Sequence, residues 1–473
     1  MASPTRTARL QAEDHRYLWH PFTQQRKWEQ EPPLIIERGR GVYLEDTNGH
    51  RYLDGVSSLW VNLHGHRKPE LDRALAAQLK KIAHSTLLGL ANVPSIELSR
   101  RLVALAPRGL TRVFYSDNGS TAVEVALKMA YQYWQLRGGV FRSKKSFLHL
   151  GLAYHGDTLG AVSVGGIPLF HARFKPLLFP TYEAHAPYCY RCPLNLTYPL
   201  CRVVCVDAVE DVLKRHHRHI AALIVEPMLL AAGGMITMPP GYLTRLRRLC
   251  SRYRVLLIAD EVATGFGRTG RMFACEHEGV KPDLMAVSKG LTGGYLPLAA
   301  TLTTERIYRA FLGRHEEFKA FFHGHSYTGN PLGCAVALAN LDVFARERTL
   351  QKLQPKIVAL RRLLQPLSKQ PHVGDIRQLG FIVGLELVRD RETKEPYPLT
   401  ERIGMRVAAE ARRLGLLIRP LGNVIVLMPP LSTTLKELRQ MVGIVATAIG
   451  LVLTPRSEAQ GGGKKVLTKW VEF

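Results

Sequence analysis

The chain has 473 residues, 46% of them apolar, with 64 basic side chains against 39 acidic ones for a net charge of +25. That length and apolar share suffice for a large core spread over more than one domain, and a mean hydropathy near zero with no apolar run of spanning length excludes a helical membrane protein. The polar start, residues 1–9, lacks the apolar stretch of a secretory signal, so a cytoplasmic protein with no membrane partner is expected.

Residues 1–67 hold short strand-like pieces such as Gly41 to Glu45, split by Asn48-Gly49 turn chemistry. From 68 to 346, helix and strand signals alternate, the pattern of a mostly parallel α/β sheet covered on both faces. Residues 347–455 mix helices with strands near 380–387 and 424–428, as a smaller α+β domain. Residues 456–473, with Gly461 to Lys465, read as a loose tail. A surface this basic suits nucleic acid. Its arginines, however, are dispersed along amphipathic stretches (Arg245, Arg247, Arg248; Arg412, Arg413) with no RNA-binding or zinc-finger signature, so no nucleic-acid partner is expected.

Inside the α/β region the chemistry-bearing segments follow strands. Residues 112–115 form a predicted strand that leads through Ser116-Asp117-Asn118 to Gly119-Ser120 and a helical pattern over 121–130. Glycine and serine opening a helix offer N–H groups and a hydroxyl to an anion, although a serine N-cap would look the same. Tyr154 precedes His155-Gly156-Asp157-Thr158 and supplies an aromatic face for a ring. Cys189, Cys192, Cys201 and Cys205 then follow as C-x2-C and C-x3-C. This spacing suits zinc or an iron–sulfur centre, and a surface insertion with reduced, unliganded thiols is the simpler reading.

Two further apolar runs carry the strongest signal. Residues 254–259 deliver Asp260, and residues 284–287 deliver Ser288-Lys289. In a parallel sheet the strand C-termini share one edge, where ligands bind. A lysine and an aspartate at two such ends suit pyridoxal phosphate: the amine forms a Schiff base, and the carboxylate keeps the ring nitrogen protonated.

With Asp260 to Gly270 and His323 to Pro331, these segments fall in a fixed order, and the chain resembles the class III (fold type I) aminotransferases from about Trp19 to about Ile449. The resemblance implies the fold type I architecture, with the N-terminal segment packed against the small domain, and pyridoxal 5′-phosphate as cofactor. It implies that Lys289, Asp260 and Tyr154 are catalytic, Tyr154 stacking on the ring. It further implies that Gly119, Ser120, His325 and Ser326 lie on the cofactor's phosphate side. In the family that last hydroxyl comes from the other subunit, which implies a homodimer with shared active sites.

Within the family, residues 20–23, 54–58, 119–124, 154–158 and 418–420 are most similar to the branch that aminates 8-amino-7-oxononanoate in biotin biosynthesis. The likeness implies that Arg419 grips the substrate carboxylate, and that Trp60, Asp157, Arg268 and Gly324 lie on the substrate side. Three departures bear on the amino donor: Phe22 stands where tyrosine is usual, Leu59 where tryptophan is usual, and Val426 where an aromatic is usual. Aliphatic walls favour L-lysine over S-adenosylmethionine, whose sulfonium and adenine reward aromatic faces. Two alternatives stay open: another class III ω-aminotransferase acting on acetylornithine, 4-aminobutyrate or a diamine, and a basic nucleic-acid-binding protein on an inactive fold. Against the first stand residues 20–23 and Trp60; against the second stand the intact Lys289 and Asp260.

Overall fold

The computed structural model describes residues 5–453, so the expected tail at 456–473 lies outside the described residues. The N-terminal part folds into β1 (Ile36–Arg40), β2 (Tyr43–Asp46) and β3 (Arg51–Asp54). Then come β4 (Leu110–Ser116), β5 (Ser146–Leu150), β6 (Tyr182–Ala184) and β7 (Ile220–Val225). A two-residue pair follows, β8 (Leu229–Leu230) and β9 (Ile236–Thr237), and then β10 (Leu256–Asp260), β11 (Leu284–Val287) and β12 (Ala299–Thr304). The C-terminal part supplies β13 (Val373–Leu379), β14 (Ile382–Leu387), β15 (Leu416–Leu417) and β16 (Val424–Leu427).

Seven strands form the large sheet in the order β4-β12-β11-β10-β7-β5-β6. Only β12 runs against its neighbours, so the sheet is mostly parallel. Both faces are covered, which is why β7, β10 and β11 read as unbroken apolar runs. Side chains still alternate across them. Ala222, Ile224 and Ile258 pack in one core with the helix Gly119–Arg137, while Leu223, Val225 and Leu257 join the core beneath the opposite face. That helix presents Ala122, Ala126 and Ala130 to the sheet, small residues that allow close approach.

The smaller unit is the antiparallel sheet β13-β14-β16 with the helices Ile403–Arg413 and Leu435–Leu453. Strand β15 leaves it to pair in parallel with β3, extending the N-terminal sheet to β1-β2-β3-β15. The Leu53 N–H donates to Gly415 O at 2.8 Å, and the Gly55 N–H donates to Leu417 O at 2.9 Å. This pairing carries the chain toward Arg419.

Element ends differ modestly from the sequence expectations. Arg254 sits at φ 51° in the turn before β10, and Gly380 at φ 59° turns the chain before β14. A Cβ on Gly380 would lie 2.2 Å from the Thr269 carbonyl carbon, so the hairpin presses directly on the loop after β10. Among the described residues no helix is long and apolar enough to cross a membrane.

Candidate active site

Five strands of one direction end on one edge of the large sheet, and each delivers a residue there. Past β4 come Gly119 and Ser120, past β5 Tyr154 and His155, past β7 Glu226, at the end of β10 Asp260, and past β11 Lys289. The parallel register pairs Asp260 with Ala286, three residues before the lysine. Together with Trp60, these side chains line a cavity of about 470 Å³, within the range usual for cofactor sites.

The aspartate is buried and fixed. His155 Nδ1 lies 2.7 Å from Asp260 Oδ2, and the Val262 N–H donates to Asp260 Oδ1 at 3.1 Å. His155 Nε2 is buried without a partner. Beside this pair, Glu226 accepts from the N–H groups of Tyr154 at 3.0 Å and Ala231 at 2.9 Å. Burial pushes the Glu226 carboxyl up to about 7, partly opposed by His155 and reinforced by the charge of Asp260.

Lys289 stands at φ 22°, on the rim of the left-handed region, where non-glycine residues are rare. Its Nζ lies 5.2 Å from the centre of the Trp60 ring. Burial lowers the amine's pKa from its ordinary value, opposed first by Asp260 and then by Glu226. A larger neutral fraction makes it a better nucleophile and base.

At the anion end, the Asn118 side chain caps the helix Gly119–Arg137 by accepting from the Thr121 N–H at 3.1 Å. The first-turn N–H groups of Gly119 and Ser120 have no acceptor within the helix. A Cβ on Gly119 would stand 2.6 Å from Val262 Cγ1, so the close approach requires glycine there. Ser120 Oγ accepts from the Asp157 N–H at 3.1 Å. The donor set matches pyridoxal phosphate group by group: an amine for its aldehyde, a fixed carboxylate for its ring nitrogen, and a capped helix start for its phosphate.

The structure divides the remaining expected residues. Tyr154 points its hydroxyl at Asp157 Oδ2, 2.7 Å away, so Asp157 orients the tyrosine from outside the cavity wall. Phe22 packs edge-on against Phe170 at 5.3 Å, and Phe170 against Tyr154 at 6.2 Å, which links the N-terminal segment to the site. Phe22 and Arg419 share a second cavity of about 850 Å³. Gly324 and Ser326 are exposed and outside the first cavity, while His325 Nδ1 contacts Asp117 Oδ2 at 2.7 Å.

Two residues expected on the substrate side stand outside both cavities. Val426 is fully buried in β16, in one apolar cluster with Val56, Trp60 and Met428. Arg268 is 1% exposed and donates to the carbonyls of Pro429 and Asn62, both at 2.7 Å. It ties the N-terminal segment to the chain after β16. Burial lowers its pKa to about 9, and it stays cationic at neutral pH.

One device has no visible signature in the sequence. Residues Ser57 to Trp60 all have positive φ, between 47° and 71°, forming a left-handed turn that costs about 1–2 kcal/mol per residue. Asp54 holds it by accepting from the Ser58 N–H and Ser58 Oγ, both at 2.9 Å, and Ser57 Oγ donates to Met428 O at 2.7 Å. The turn sends Trp60 into the cavity and leaves Leu59 53% exposed.

Comparison with known proteins follows the same lines. The family model for class-III aminotransferases matches residues 24–449. A protein of Nitratidesulfovibrio vulgaris named adenosylmethionine-8-amino-7-oxononanoate aminotransferase is 55% identical over 458 residues, covering 97% of this chain and 84% of its own. The crystal structure of the enzyme of that name from Methanocaldococcus jannaschii superposes with a TM-score of 0.90 at 47% identity, covering 94% of this chain and 99% of the other. An amine transaminase from an uncultivated Pseudomonas species, solved in its PLP-bound form, matches with a TM-score of 0.87 at 38% identity, covering 92% and 99%.

Proposed function

The chain belongs to the class-III aminotransferases, and on that premise we propose that it transfers an amino group to the keto carbon of 8-amino-7-oxononanoate, giving 7,8-diaminononanoate for biotin biosynthesis. The observation that carries this reading is Arg419. It is exposed, lines the Phe22 cavity and pairs with no carboxylate among the described residues. A planar guanidinium in that position suits the carboxylate at the far end of a nine-carbon chain.

When bound, pyridoxal phosphate supplies the electron-withdrawing ring that lets an amine lose its α-proton. Asp260, steadied by His155, keeps a proton on the ring nitrogen. Gly119 and Ser120 hold the phosphate through the helix start. Lys289 Nζ takes the proton from the donor's α-carbon and returns one at the acceptor's keto carbon, general acid–base work suited to its lowered pKa. Trp60 and Tyr154 cover the reacting atoms and limit water. Two copies share each site, an arrangement supported by Ser326, which is exposed and stands away from the cavity of its own chain.

For the donor, Phe22 and the exposed Leu59 remove a hydroxyl and an aromatic face from the entrance. A lost hydrogen-bond partner changes preference strongly. L-lysine is therefore expected to load the enzyme more efficiently than S-adenosylmethionine, although the relatives above carry adenosylmethionine in their names. Rapid-mixing half-reactions with each donor, compared as rate over affinity, test this. A higher ratio for S-adenosylmethionine would show that these two positions do not set donor choice.

A further inference from the structure

Four cysteines take no part in this chemistry, yet the fold gathers them. They lie in the segment 185–206 between β6 and the helix Asp207–His216, which contains no regular element beyond the short turn Val204–Val206. Structureless segments of this length in a compact domain are uncommon unless they serve a function or are fastened. Its ends are seated in the core through Ala186, Val203, Cys205 and Val206, but its middle exposes Leu200 by 84% and leaves Leu194, Leu196 and Tyr198 about 40% exposed (39%, 43% and 39%), so apolar burial does little to hold residues 194–200.

Cys189, Cys192, Cys201 and Cys205 all line one void of about 20 Å³, room for a single water-sized body. None is in a disulfide. The rest of the wall includes Leu194, Leu196 and Val204, which cannot ligate. The Asn195 N–H donates to Cys192 O at 3.0 Å and the Val204 N–H to Cys201 O at 3.1 Å, folding the chain back after Cys192 and after Cys201. Two basic side chains fasten the segment's backbone: Arg245 donates to Arg202 O at 2.9 Å, and Lys394 donates to Tyr190 O at 2.8 Å.

We propose that Cys189, Cys192, Cys201 and Cys205 form a tetrathiolate site for one zinc ion, which closes the 185–206 segment on itself. Among the described residues no three ligating side chains already meet at one point; zinc binding would draw the four sulfurs together into the void that they line. Each thiol gives its proton to solvent as its sulfur binds, and no electrons move. Four sulfur ligands leave no open position, so the ion is structural. The segment also reaches the small unit: Arg191 Nε donates to Glu386 Oε1 at 2.6 Å, and Glu386 Oε2 accepts from Arg377 Nη1 at 2.6 Å.

Elemental analysis of the full-length protein, purified under reducing conditions with zinc supplied, is expected to give about one zinc per chain. The double variant C192S/C201S is expected to lose it while keeping the visible absorbance of bound pyridoxal phosphate. Independently of any variant, replacing the metal of the wild-type protein with Co²⁺ is expected to produce thiolate-to-cobalt charge-transfer bands, and stripping the metal is expected to lower the melting temperature. Zinc-free protein that binds neither Zn²⁺ nor Co²⁺, iron with inorganic sulfide in place of zinc, or a disulfide among the four cysteines would each overturn the proposal.

Discussion

Replacing Lys289 by alanine is expected to abolish turnover and to remove the visible absorbance of the bound cofactor, because no other amine lines the cavity. The loss should exceed the 10²–10⁴-fold, roughly, that a general acid–base group alone contributes, since the same nitrogen also anchors the cofactor. The side chain leaves a cavity wall and not a packed core, so the variant should fold; its melting temperature in the presence of pyridoxal phosphate checks that. Reduction with borohydride distinguishes the assignment from its rivals. The wild-type protein should carry the pyridoxyl label on the peptide containing Lys289, and the variant should carry none. A label that moved to another lysine with activity retained would contradict the assignment.

Arg419→Ala is expected to raise the KM for 8-amino-7-oxononanoate by about ten- to a hundredfold, the consequence of losing one charged hydrogen-bonded pair of about 1.5–3 kcal/mol. Loading by the donor should change far less, because the arginine stands outside the wall around Lys289. Measuring the two half-reactions separately decides the matter. Equal damage to both would make Arg419 a structural or shared residue.

Which parts of the site could be read from the sequence follows from how each residue is delivered. Asp260 and Lys289 end apolar runs of strand length, and a parallel sheet brings such ends together, so type and spacing sufficed. Gly119 and Ser120 were legible for a similar reason, as the opening of a helix after a strand. The place of Val426 is harder to read, because β16 is buried on both faces. Periodicity then gives no clue to which side meets a ligand. Arg268 stands in a family motif, but its hydrogen bonds to carbonyls of Asn62 and Pro429, more than 150 residues away in either direction, leave no local trace. The His155–Asp260 pair spans 105 residues and leaves no local trace. The left-handed turn at Ser57 to Trp60 contains no glycine to announce it; the nearby Asp54 and the distant Met428, brought in by a tertiary contact, hold it.

A single-turnover experiment tests the identity of the acceptor directly. Enzyme first loaded by a donor amine and freed of excess donor is mixed with 8-amino-7-oxononanoate, and the product is followed by mass spectrometry. The expected result is 7,8-diaminononanoate in an amount matching the active sites, with the cofactor's visible absorbance restored at the same rate. The contradictory result is no diamine from this acceptor while the semialdehyde of acetylornithine or of 4-aminobutyrate discharges the loaded enzyme, which would place the chain elsewhere among the class-III aminotransferases.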